Sequence, residues 1–152
     1  MSRLYGIDDA NTLLPDLAAV VDRLRDQRAE LIGLRDAFRE REGDLPGAVI
    51  DGGATALPDP DDRGDPELRR IRLRILGIVD QMQADVAWLD ERAIALRDIS
   101  TGLLDFPARS GGRLVWLCWR SGEDEVAWWH GVDEGFAGRR PLTALPDDPA
   151  RA

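Results

Sequence analysis

A chain of 152 residues has room for one domain, and a compact fold of this size buries roughly 68–70% of the surface it exposes when unfolded. With 29 acidic and 20 basic residues the net charge is -9, which argues against a sequence-independent grip on nucleic acid or on an anionic membrane. Every basic residue is Arg, so pyridoxal-phosphate or other Schiff-base chemistry on a protein lysine, the Walker A loop and the kinase lysine are all excluded.

Single copies of Cys and His narrow the choice further. Cys118 alone cannot form an intrachain disulfide, a CxxC pair or an iron–sulfur cluster, and His130 alone excludes HExxH and other multi-histidine motifs. The census names no cofactor, and a single divalent metal ion, held partly by carboxylates, is one that it still allows. The first residues hold no apolar stretch of signal length, and nothing reaches the ~18 apolar residues of a membrane span. These features predict a cytoplasmic protein with a reduced thiol.

The first predicted element is an amphipathic helix over 8–42, with Ala10, Leu14, Leu17, Val21, Leu24, Leu31 and Phe38 on one stripe. Arg28 and Arg35 interrupt that stripe, which predicts a solvated or salt-bridged middle. Asp8 reads as the N-cap, and Pro15 as a kink or a second start. Residues 43–65 hold six Asp, five Gly and three Pro, a composition that reads as a flexible linker because it cannot bury enough apolar surface to order itself. The run Asp59-Pro60-Asp61-Asp62-Arg63-Gly64 invites comparison with a calcium loop, but Arg63 and Arg70 fall at ligand positions five and twelve. The comparison fails.

Pro66 behind Asp65 opens a second helix over 66–92, striped by Leu68, Ile71, Ile75, Ile78, Met82, Val86 and Leu89. Matching stripes predict an antiparallel helical hairpin. Leu73, Leu76 and Val79 form an additional apolar flank that calls for a partner, either the β-layer or a second copy of the chain.

From 93 to 142 the pattern alternates, which predicts a small Trp-rich antiparallel sheet beneath the helical hairpin, an α+β fold. Ile94, Leu96 and Asp98 begin one strand. Leu103 to Phe106 form another that Pro107 ends. Arg113–Arg120 and Glu125–His130 form a hairpin around Ser121-Gly122-Glu123-Asp124. Pairing Arg120 with Glu125 puts Leu117 opposite Trp128, Val115 opposite His130 and Cys118 opposite Ala127. In that register Cys118 and His130 lie on opposite faces and cannot share a metal, unless a β-bulge reverses the parity. Cys118 and most of the Trp cluster then read as core. The tail, 146–152, reads as disordered.

Candidate chemistry gathers at the loop end of this hairpin. His130, followed by Asp133 and Glu134, is a candidate general base or metal ligand with those two carboxylates. In Gly135-Phe136-Ala137-Gly138-Arg139-Arg140-Pro141 two glycines free the backbone and two guanidiniums follow, which makes Arg139 and Arg140 candidate anion-binding groups. An internal ion pair of Arg139 with Asp98 or Asp105 is the simpler reading. Asp105 is a further candidate acid or ligand. None of Ser2, Ser100, Ser110 and Ser121 lies in a Gly-x-Ser-x-Gly elbow, and no complete catalytic set is present.

Four blocks in order, Gly102-Leu103-Leu104-Asp105-Phe106-Pro107-Ala108, Leu117-Cys118-Trp119-Arg120, Trp129-His130 and Gly135 to Pro141, resemble a prokaryotic family known as domain of unknown function 2203. Ala10-Asn11 and Leu13-Leu14-Pro15 resemble its opening pattern, and the resemblance spans residues 5–142. It implies the α+β architecture and draws attention to His130 and Arg139. Members commonly carry Gln where this chain has Arg140, which leaves Arg139 as the better anion-binding candidate. The resemblance implies no reaction. Two functional expectations follow from the residues: a binding or scaffold module, dimeric through its helices or joined to a protein partner, or a small-molecule or metal site around His130, Asp133, Glu134 and Arg139.

Overall fold

The computed structural model describes residues 3–42 and 65–145. The calcium-like run and the 146–152 tail lie outside them, as does all of the 43–65 stretch except Asp65. Two helices, α1 (Ile7–Glu42) and α2 (Pro66–Glu91), precede five strands: β1 (Ala95–Asp98), β2 (Leu103–Ser110), β3 (Arg113–Arg120), β4 (Trp128–Gly131) and β5 (Arg140–Pro141). The strands form one antiparallel sheet in the order β1-β2-β3-β4-β5. No helix among the described residues is long and apolar enough to cross a membrane.

The chain divides into two compact units, one of Arg23–Ala87 and one that joins Met1–Asp22 to Trp88–Ala152. The first is the helical hairpin. Leu24, Leu31 and Phe38 of α1 and Leu68, Ile71, Ile75, Ile78 and Met82 of α2 are buried, as the stripes predict, because residues three and four apart share a helix face. Polar pairs confirm the antiparallel sense: Arg23 clasps Asp85 through two nitrogens (2.7 and 2.8 Å), Gln27 donates to Gln81, and Arg74 clasps Glu30 (2.7 and 2.9 Å). Such exposed pairs add little. A double-mutant cycle on Arg23 and Asp85 is expected to give a coupling of at most ~1 kcal/mol, falling as salt rises.

Asp65 caps α2. Its carboxylate accepts the Leu68 and Glu67 N–H groups (3.2 and 3.0 Å) and pairs with Arg41 (2.7 Å). The Leu68 N–H, with help from Arg41 and Glu67, holds its pKa below the ordinary 3.8. Folding therefore favours the ionised form, and the contribution is complete above the unfolded value and lost as pH falls through the lowered one. Asp65→Ala should lower the thermal midpoint at pH 7, and circular dichroism melts of the two chains should draw together as pH falls below the ordinary carboxylate value.

In the second unit α1 begins at Ile7, so Asp8 lies in the first turn and is not the cap. The helix continues through Pro15, which opens no second helix. Ala10, Leu14, Leu17 and Val21 are buried, as are Leu104, Phe106, Ala108, Leu117, Trp119 and Trp129 on one face of the sheet. Tyr5 meets Phe106 edge-on at 5.3 Å. β2 does not stop at Pro107. The Pro107 carbonyl accepts the Tyr5 N–H (2.8 Å) on the side that β1 has already left at the Ala95–Asp105 pair, so the missing proline N–H costs no ladder bond.

The largest difference from expectation is register. Cys118 pairs with Trp128 and not Ala127, Trp116 pairs with His130, and Val115 pairs with Gly131. The connection explains this. Glu123 accepts the Arg120 N–H through its side chain (2.7 Å) and the Trp119 indole N–H through its carbonyl (2.9 Å), while the Val126 N–H leaves the ladder for Asn11 Oδ1 (2.7 Å). One more residue is thereby accommodated. A slip of one residue exchanges faces, so Cys118 and His130 share a face.

Candidate metal centre

That shared face carries an acid as well. Asp105 on β2 pairs directly with Cys118 on β3, and His130 on β4 is one step along. Asp105, Cys118 and His130 are at most 3% exposed. Their ligand atoms lie within 4.8 Å of one another, and no other described His, Cys, Asp or Glu joins such a group. The sheet therefore brings three donors from three adjacent strands to one point, under a cavity of about 290 Å³ lined by Arg97, Leu103, Val132, Glu134, Gly135 and Phe136.

Hydrogen bonding constrains the imidazole. Nδ1 lies 2.9 Å from the Gly131 carbonyl oxygen, which can only accept, so Nδ1 carries a proton. Nε2 lies 2.9 Å from Asp105 Oδ2. Two lone pairs that close repel one another unless a proton or a metal ion lies between them. Arg97 donates through Nε to the same Oδ2 (2.9 Å), and its guanidinium rests on the Trp116 ring (4.8 Å). Asp105 Oδ1 is buried with no hydrogen-bond partner. A buried carboxylate oxygen in that state costs on the order of 1–3 kcal/mol of unreplaced solvation.

Cys118 is not poised as a nucleophile. Burial, reinforced by the negative charge of Asp105, pushes its thiol up to about 12. Both nitrogens of His130 face oxygens, so neither is directed at the sulfur as a general base. A thiol in this position reacts poorly, whereas a bound cation would displace its proton.

The remaining candidates are placed elsewhere. Glu134 does not join His130 as a ligand. It accepts both contacts of Arg140 (2.5 and 2.7 Å) and the Gly131 N–H (3.2 Å). A Cβ on Gly138 would meet Glu134 Oε2 at 2.5 Å and its Cβ at 2.8 Å, so the glycine exists to let this side chain through. The anion seated in the glycine–arginine loop is thus the chain's own carboxylate. Asp133 is exposed and does not join the donor group. Arg139 pairs with Glu123 (2.6 Å), not with Asp98 or Asp105, and lies between the Trp128 and Phe136 rings (5.0 and 4.7 Å). It approaches the Cys118 carbonyl oxygen at 3.5 Å and so braces the strand that carries the thiol. The expectation of an internal ion pair for Arg139 holds, with a different partner.

Sequence reasoning missed Cys118 and Arg97. Correct parity along β3 would have found the first. Arg97 sits where the β1–β2 register shifts between Leu96 and Asp98, and irregularities of this kind often re-aim a side chain beside a site. Neither a curated protein nor a solved structure matches the chain. The family model described as "Uncharacterized conserved protein (DUF2203)" matches residues 3–142, nearly the whole sequence and all three donors, and the chain belongs to that family.

Proposed function

We propose that the protein is a metal-binding protein that holds one divalent transition metal, zinc foremost, through Asp105, Cys118 and His130. The observation that carries this reading is the approach of Nε2 to a carboxylate oxygen with Nδ1–H committed to a carbonyl, beside a buried thiol and an orphaned Asp105 Oδ1. Carbonyl-anchored Nδ1–H is the usual way a ligating imidazole is oriented. A sulfur, nitrogen and oxygen set suits zinc, with bonds of about 2.0–2.3 Å. Three protein ligands leave a position for water or substrate, the pattern of catalytic and not of structural zinc, and the metal would there supply Lewis acidity. A reducing cytoplasm, which this reading assumes, keeps Cys118 a thiol.

Elemental analysis of untagged native protein tests the reading. One metal per chain, lost in His130→Ala, is the expected result; metal-free native protein that also fails to take up zinc, cobalt or nickel would sink it. A second reading, a module dimerising through its helices, draws on Leu73, which is 47% exposed on α2. Val79 of the same apolar flank is buried within the chain. Light scattering that finds a strict monomer would end that reading.

A further inference from the structure

We infer that the metal-loaded cavity binds a small organic anion, a carboxylate with a short apolar body, whose charged end is held by Arg97 beside the metal. This rests on the metal reading and adds the class of ligand. Charge is the first argument. A divalent cation is neutralised by one carboxylate and one thiolate, and Glu134 is neutralised by Arg140. Arg97 is then the uncompensated charge in the cavity wall, in a protein whose net charge is otherwise strongly negative.

Geometry is the second. Arg97 spends Nε on Asp105 and is held flat by Trp116, while its side chain remains 44% exposed. A guanidinium fixed in this way offers a fork matched to a carboxylate. Apolar lining is the third argument. Leu103, Val132 and Phe136 share the cavity, and Val132 and Phe136 are 55% and 43% exposed, among the large apolar side chains that this fold leaves uncovered. A volume of about 290 Å³ stands at the lower end of ligand pockets and suits a molecule of a few carbons.

Titration calorimetry on the zinc-loaded protein with butyrate, its neutral isostere butyramide, and acetate tests the inference, with zinc content read on the same samples. Butyrate should bind once per chain at least tenfold more tightly than butyramide, and Arg97→Gln should remove that difference while zinc content holds. Phe136→Ala should instead reduce the preference for butyrate over acetate, with zinc and the charge preference intact. Equal binding of butyrate and butyramide, or a preference that survives Arg97→Gln, overturns the inference and leaves the metal reading standing. If Arg97→Gln sheds zinc, the Phe136→Ala comparison decides. A chain that takes up no zinc overturns both.

Discussion

Zinc at one hundred times its dissociation constant is expected to stabilise the protein by about 2.7 kcal/mol, the linkage value for a ligand that binds only the folded state. For a chain of this size that is a rise of roughly 5–10 °C in the thermal midpoint. Cys118→Ser, Asp105→Asn and His130→Ala should each abolish the rise, because the three donors come from three strands and none has a described substitute. Cobalt offers a readout that a purely structural role would not move: a thiolate-to-cobalt absorption band present in the native chain and absent in Cys118→Ser. The metal-free protein should respond differently. There Asp105 accepts from Arg97 and faces His130 Nε2, and Asp105→Ala should cost about 1–3 kcal/mol, the effect of leaving a buried polar group without its partner. Denaturant melts in the presence of a chelator measure this directly, and an unchanged midpoint would show that Asp105 is not the hub the geometry makes it.

Gly102→Ala is expected to be the most damaging substitution outside the site. Gly102 is buried with φ of +68°, and a Cβ there would lie 2.6 Å from both Ser121 Cβ and Val21 Cγ1. The left-handed backbone costs roughly 1–2 kcal/mol for an L side chain, and forced overpacking adds typically 1–3 kcal/mol. A total of about 2–5 kcal/mol follows, equal to a loss of roughly 5–15 °C. The position also matters to the site. The Gly102 carbonyl accepts the Ser121 N–H (2.9 Å) at the end of the β2–β3 ladder, the same ladder that sets Asp105 beside Cys118. Gly102→Ala should therefore weaken zinc uptake in whatever fraction stays folded. Calorimetric unfolding with and without zinc checks both effects. A midpoint within 2 °C of the native value would contradict the steric argument.

Much of this architecture can be read directly from the chain. The stripe residues of α1 and α2 are buried nearly one for one, because the 3.6-residue period depends only on local geometry, and Val20, Gln27 and Val79 are buried beside them. Val86, part-exposed, is the exception. The start of α2 at Pro66 behind Asp65 belongs to the same local class; the seating of Glu134 against Arg140 does not, since the sequence offers Glu134 as a metal ligand. His130 and Asp105 are legible as candidates because a lone imidazole at a strand end and an acid among apolar strand residues are conspicuous in composition.

The site itself is a different kind of object, since which residues share a sheet face depends on register, and register here is settled by bonds that the local pattern does not contain. Asn11 lies 115 positions from the Val126 N–H that it accepts, and this contact helps to hold the β3–β4 connection one residue longer than the four-residue turn its sequence suggests. A period of two leaves no middle outcome: a single added residue moves Cys118 from the face opposite His130 to the same face. Composition and periodicity by themselves therefore determined the two helices, their buried stripes, four of the five strands and the unique chemical groups of this protein, but neither β5 nor the faces of the sheet. Only the tertiary structure decided that Asp105, Cys118 and His130 meet, because long-range hydrogen bonds, and not local propensity, choose the register of a strand that is apolar on both faces.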